Sequence, residues 1–175
     1  GTDKVFDLQV SKAKDIVIID SWNFTGFKEN AFYTAPFDKV LLQKTIKEVQ
    51  PTAFDTNCTH VFRVKAPLLD ADQTICILGE SSIIGAWDSA KAKPLNKIEG
   101  EQFFEIALDV QKSNFPFVYK YGVYNTKTKK FISFEEGNNR VVYEPVGKDK
   151  LVMVNDGFVH LNTKTWKGTG VAIPV

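Results

Sequence analysis

Between residues 58 and 162 the chain is a succession of short apolar runs that alternate with polar residues and are cut by turn formers. "HVFRVKA" sets Phe62 and Val64 on one face against Arg63 and Lys65, while "TICIL" is apolar throughout, as a strand covered on both sides should be. "FFEIALD" alternates with Phe104, Ile106 and Leu108 inward and Glu105 and Asp109 outward. In "FPFVYKYGVYN" Phe117, Tyr119 and Tyr121 share one face, and Val118, Lys120 and Tyr124 take the other. "KKFISFE", "NRVVYEP" and "LVMVNDGFVHL" follow, punctuated by Gly137, Asn138, Asn139, Pro145 and Gly147. Seven or so short strands in about 105 residues, with no long amphipathic helix, predict an all-β fold, an antiparallel immunoglobulin-like β-sandwich. Only "FDKVLLQKTIKEV", residues 37–49, has a helical alternative, through Val40, Leu41, Ile46 and Val49, and its β-branched content leaves that open.

Charge and composition narrow the partners. The 22 basic and 21 acidic residues leave a net charge of +1, no excess with which to neutralise a row of phosphates, so nucleic acid is not an expected partner. No run of eighteen apolar residues could cross a bilayer and no charged-then-apolar leader opens the chain, which points to a cytoplasmic protein. Cys58 and Cys76 are widely spaced, with only two histidines elsewhere, which is poor material for a metal site. Two reduced cysteines in or beside strands, and no cofactor, are the expectation.

The chain also echoes itself. "DKVFDLQVSKAKDIVIIDSW" from Asp3 aligns without a gap on "NRVVYEPVGKDKLVMVNDGF" from Asn139, at a constant offset of 136 residues. The alignment keeps Val5 with Val141, Val10 with Val146, Lys12 with Lys148, Lys14 with Lys150 and Asp20 with Asp156. The alternative is a chance likeness between two β-hairpins; if the echo is real, residues 1–22 are expected to be the closing strands of a preceding domain, with Ile16, Ile18 and Trp22 packed on a complete domain or another chain. Residues 23–55, rich in aromatics, then form an inter-domain linker that lies against a surface.

Three ordered motifs carry a family resemblance. "ILGESSIIGAWDSAKAKPLN" resembles the opening signature of the starch-binding domains, carbohydrate-binding module family 20. "FPFVYKYGV" resembles that family's aromatic-Tyr-Lys-aromatic strand, and "FEEGNNRVVYEP" its W-E-x-x-x-N-R segment. "DGFVHLNTKTWKGTGVAIPV" is similar to the joint between second module and catalytic barrel in two-module 4-α-glucanotransferases of glycoside hydrolase family 77, and "IVIIDSWNF" to the end of their first module. The resemblance implies a starch-binding domain over residues 56–162 and, at 163–175, the start of a linker to a catalytic barrel covalently attached in the parent chain.

An α-1,4-glucan presents C–H faces ringed by hydroxyls, so it calls for aromatic platforms with a few polar groups at their rim. The resemblance makes Trp87 the first platform and puts Phe134 where the family has a second tryptophan, which keeps a stacking face but shrinks it. Lys120 and Asn139 match the family's ligand-contacting lysine and asparagine, and Glu135 is an acceptor beside them. Each has a plainer alternative: Trp87 folded over the sandwich edge, Lys120 a solvated lysine, Phe134 core, Asn139 a turn former. The family's second site needs tyrosines where "LLDADQT" and "NKIEGEQ" have none, so one site is expected.

Retaining glucan transfer needs two carboxylates about 5 Å apart in a cleft. Glu135 and Glu136 are adjacent on a strand and point to opposite faces, and no Gly-x-Ser-x-Gly elbow, phosphate loop or Cys/His set is present. The expectation is a non-catalytic module that holds starch, glycogen or malto-oligosaccharide near a linked 4-α-glucanotransferase. The alternative is a sandwich without useful sugar affinity, serving as a spacer or a homodimer surface.

Overall fold

The computed structural model of the chain describes residues 15–20, 33, 34, 37, 58–66, 68–98, 103–147 and 150–161. In chain order the strands are β1 (Asp15–Asp20), β2 (His60–Lys65), β3 (Gln73–Gly79), β4 (Lys93–Pro94), β5 (Asn96–Lys97), β6 (Phe103–Leu108), β7 (Phe117–Asn125), β8 (Lys130–Phe134), β9 (Arg140–Val142) and β10 (Lys150–Phe158). They form two sheets, one ordered β1-β10-β2-β6-β5 and the other β4-β3-β7-β8, with β9 also paired to β7. The sandwich is the one that the alternation predicts. Both neighbours of β10 run parallel to it, however, which hairpin-based reading does not anticipate because neither is adjacent in sequence.

The core lies between the sheets. Phe62 and Val64 of β2, Ile75 and Ile77 of β3, Phe117, Tyr119 and Tyr121 of β7, and Val152 and Val154 of β10 meet there and are almost wholly buried. β3 is covered on both faces, since Cys76 and Leu78 are as inaccessible as Ile75 and Ile77. Cys76 is a buried thiol, and burial pushes it up to about 12.

Lys65 and Arg63 point away from this core as the alternation requires. Glu105, expected in solvent, is only 2% exposed: it stands opposite Arg63 in the β2–β6 ladder and receives its Nε at 2.8 Å. The outer face of that sheet is itself partly apolar, with Val61, Leu151 and Met153 buried beside Ile16, Cys58 and Ala107. β1 lies along β10 in parallel, from Asp15 opposite Lys150 to Asp20 opposite Asn155. Ile16 thus packs on the domain, whereas Ile18 is 42% exposed; Trp22 lies outside the described residues. Within 23–55, the carbonyl of Tyr33 accepts a hydrogen bond from Lys65 Nζ at 3.2 Å. The helical alternative at 38–49 and the segment 163–175 lie outside the described residues.

His60 opens β2 deep in the sandwich, 2% exposed and stacked on Phe62, with ring centroids 6.1 Å apart. Burial lowers its pKa from 6.5 to about 4 against a small opposing pull from Asp109. Between these values the unfolded chain takes up a proton that the folded one refuses, so stability is complete above about pH 6.5 and declines as pH falls toward 4. Urea unfolding at pH 7.5 and 4.5 should differ by up to about 3 kcal/mol more in the wild type than in His60→Phe; equal pH dependence in the two proteins would show that His60 is not the titrating group.

Candidate functional site

The candidate face is assembled on the outer side of β3, β7 and β8. Trp87 comes from the loop after β3. Ser81 starts a single 3₁₀ turn by accepting Ile83 N–H at its Oγ, and its carbonyl accepts Ile84 and Ala86 N–H at 3.0 Å each. Three consecutive residues then turn left-handed: Gly85 at φ 91°, Ala86 at 50° and Trp87 at 61°. Such a conformation in a non-glycine residue costs about 1–3 kcal/mol and persists only where its surroundings hold it. Here the holding contacts are Trp87 N–H to the Gly79 carbonyl at 2.8 Å and Asp88 N–H to that of Gly85 at 2.9 Å. Asp88 then caps the next turn by accepting Ala90 N–H at 3.0 Å. Gly79 must be glycine, because a Cβ there would run into the Ile84 side chain and the Val118 carbonyl. The main chain therefore delivers the Trp87 indole outward, 38% exposed.

Phe134 ends β8 and meets Trp87 edge-to-face, ring centroids 6.1 Å apart and planes at 69°; it is 37% exposed and so is not a core residue. Behind it stands Phe131, 4.7 Å away, on the same strand. Phe131 in turn lies on Gly122 of β7, where a Cβ would fall 2.5 Å from its Cε2. This supporting ring escapes the sequence reading. Its signal was present: a glycine in the middle of the "YKYGVYN" strand marks a close approach by another group.

Lys120 leans out from β7 two residues before Gly122, and its Nζ donates to the Gly137 carbonyl at 2.6 Å. That bond reaches into the loop "EEGNN" and brings Lys120 to the stretch that carries the exposed Asn139. Trp87, Phe134 and Lys120 are thereby placed by neighbouring strands, and Asn139 by a loop tied to one of them.

Glu135 is the residue that departs from expectation. It is turned inward, 3% exposed, and both carboxylate oxygens are occupied. Oε1 accepts Tyr121 N–H at 3.0 Å and Arg140 Nε at 2.9 Å, while Oε2 accepts Arg140 Nη2 at 2.8 Å. A two-pronged Arg–carboxylate bond, the strongest form of ion pair, thus closes the base of the 136–139 loop. Arg140 continues inward, donating to the carbonyls of Asp156 and Phe158 at 2.8 and 3.0 Å and lying over the Tyr121 ring at 5.1 Å. Asp156 receives both Tyr119 and Tyr121 hydroxyls at 2.8 Å.

Burial raises the Asp156 carboxyl, with Arg140 and the two hydroxyls pulling the other way. Burial, then Asp156, raises both tyrosines far above their ordinary range. Burial acts to lower Arg140, but Glu135 and Asp156 outweigh it and the net shift is upward, so the guanidinium stays charged. Glu136 bonds the other way, its N–H to the His160 carbonyl at 2.7 Å. Among the described residues no group of three His, Cys, Asp or Glu could hold a metal ion.

The sequence profile of the Starch binding domain family matches residues 57–152. The chain is 26% identical over 172 residues to a 4-alpha-glucanotransferase of Oryza sativa subsp. japonica, an alignment covering 92% of this chain and 18% of that protein. It therefore spans less than a fifth of that relative's length. Among solved structures, the family 20 module of a maltotetraose-forming amylase from Pseudomonas saccharophila is similar at 14% identity and TM-score 0.44, over 54% of this chain and 97% of that one. A glucoamylase from Hormoconis resinae is similar at 19% identity and TM-score 0.47, over 71% and 20%.

Removing the Glu135 carboxylate should leave a mostly buried guanidinium without its partner. Glu135→Ala is expected to lower unfolding free energy by about 3–5 kcal/mol in urea titration, whereas Trp87→Ala should change it by less than about 1 kcal/mol; comparable losses would refute the division between scaffold and exposed face.

Proposed function

Because the chain belongs to the starch-binding domain family, we propose that it is a non-catalytic module that binds α-1,4-glucan on the face made by Trp87 and Phe134. The observation that carries this reading is the exposed, backbone-held indole set edge-to-face against a second exposed ring. Two aromatic side chains held outward by a strained turn and a supporting Phe131 offer apolar walls for the C–H faces of sugar rings. Asn139 supplies donors and acceptors for sugar hydroxyls. Lys120, bonded to the loop carbonyl of Gly137, shapes the rim and presents its remaining N–H groups there. Glu135 does not touch the sugar; it fixes the loop from beneath.

One site, not two, is the reading that "LLDADQT" supports. Its polar groups are engaged with one another and with β7–β8 residues, Gln73 with Asp70 at 3.1 Å and Asp72 with Lys127 at 2.8 Å, and it contains no aromatic ring. In a longer chain that includes a 4-α-glucanotransferase barrel, the module would raise the local concentration of glucan at the catalytic domain by tethering.

Calorimetric titration with maltoheptaose or β-cyclodextrin should give a single site. Trp87→Ala should cost about 1.5–3 kcal/mol, the worth of a large apolar side chain covered by ligand, or roughly ten- to a hundredfold in affinity. Phe134→Trp should tighten binding by restoring area and an indole donor. If the wild type shows no heat and no retardation in a glucan affinity gel, and Trp87→Ala changes neither, the binding assignment falls.

A further inference from the structure

The sequence repeat and the pairing of β1 with β10 differ by one residue. The repeat sets Asp15–Asp20 on Leu151–Asp156, an offset of 136, so Ile16, Ile18 and Asp20 correspond to Val152, Val154 and Asp156. Those three point into the sandwich: the valines are core, and Asp156 receives the two tyrosine hydroxyls. The pairing instead sets Ile16 beside Leu151 and Ile18 beside Met153, an offset of 135. Side chains on a strand alternate with a period of two, so a one-residue shift exchanges its faces. β1 is thus turned over about its long axis relative to its counterpart. Ile16 joins the outer-face cluster with Leu151 and Met153, and Val17 meets the core.

Turning a strand over also exchanges its edges. Val152 N–H donates to the Thr59 carbonyl on the β2 side, so Leu151 and Met153 direct their backbone groups to β1. In a parallel ladder each of these bonds the residues flanking its partner, here Asp15, Val17 and Ile19. The backbone groups of Ile16 and Ile18 therefore point to the far edge, as those of Val152 and Val154 point to β2. Among the described residues no strand pairs with that edge. Two large apolar residues stand along it, Ile18 42% and Ile19 36% exposed. An apolar edge such as this, unpaired among the described residues, is what folded proteins ordinarily pair, charge or cover.

We propose that β1 is a boundary strand shared by two sandwiches, its free edge pairing in parallel with the counterpart of β2 in a preceding module. One sheet then runs through both modules in the order β2 counterpart, β1, β10, β2, and the two cores lie on opposite faces of it. Ile16, Ile18 and Asp20 face the preceding core, as their counterparts face this one. The inference rests on the repeat and the strand register, and not on sugar binding.

Residue-resolved amide exchange tests it on the 175-residue chain and on a longer chain that includes the preceding module. In the shorter chain the amides of Ile16 and Ile18 should exchange at least about tenfold faster than those of Val17 and Ile19. In the longer chain all four should be protected alike, and Ile18→Asp should release Ile16 and residue 18 there while Val17 stays protected in the shorter chain. Persistent fast exchange at Ile16 and Ile18 in the longer chain would overturn the shared sheet. So would fast exchange at Val17 and Ile19, which would mean that β1 has left β10. Maltoheptaose binding is read separately, and its presence or absence moves none of these outcomes.

Discussion

The ion pair between Glu135 and Arg140 is the contact on which the loop that carries Asn139, and the end of β8 beside it, depend. It joins the end of β8 to the start of β9, so that four residues between them must form a tight loop. It also runs inward, because Arg140 bonds two carbonyls of β10 in the opposite sheet and approaches Asp156, which holds two tyrosines of β7. A buried pair of this kind adds little net stability relative to a well-packed apolar one, since desolvation offsets its attraction. Its value here is geometric. It ties an exposed loop to the floor of the core through charged bonds of fixed direction, and neither partner can leave without stranding the other.

The face above that anchor is built from three unlike materials. Backbone conformation aims Trp87, a supporting ring and a glycine seat aim Phe134, and a cation reaching a carbonyl holds the loop of Asn139. Each is settled before any ligand arrives. On the proposed reading, binding would therefore spend little free energy on ordering side chains or loops.

Most of the sandwich was legible in the sequence because its strands are alternating and its turns are marked. The inward set of β7 and the double burial of β3 follow from period and composition alone. Motif singled out Trp87, Lys120 and Phe134; the structure sets Lys120 and Phe134 on the outward side of their strands and turns Trp87 outward from its loop. Glu135 was not, because a carboxylate at a strand end looks the same in sequence whether it meets solvent or an arginine five residues later. Glu105 shows the same limit: its face was right, but alternation cannot reveal that Arg63 and the surrounding structure close over it. The parallel seat of β1 was out of reach as well, since a contact across some 135 residues leaves no local pattern.

The angle between the Trp87 and Phe134 planes, 69°, has a consequence for shape. Two coplanar rings would suit a ribbon, a polymer whose successive sugars present one flat side. On the proposed reading, two rings meeting as a corner would suit a polymer that bends between one residue and the next, because a curved chain can lay a sugar on each wall without lifting from the other. A flat chain of the same sugars, offering identical hydroxyls and identical C–H faces, would then meet one wall only.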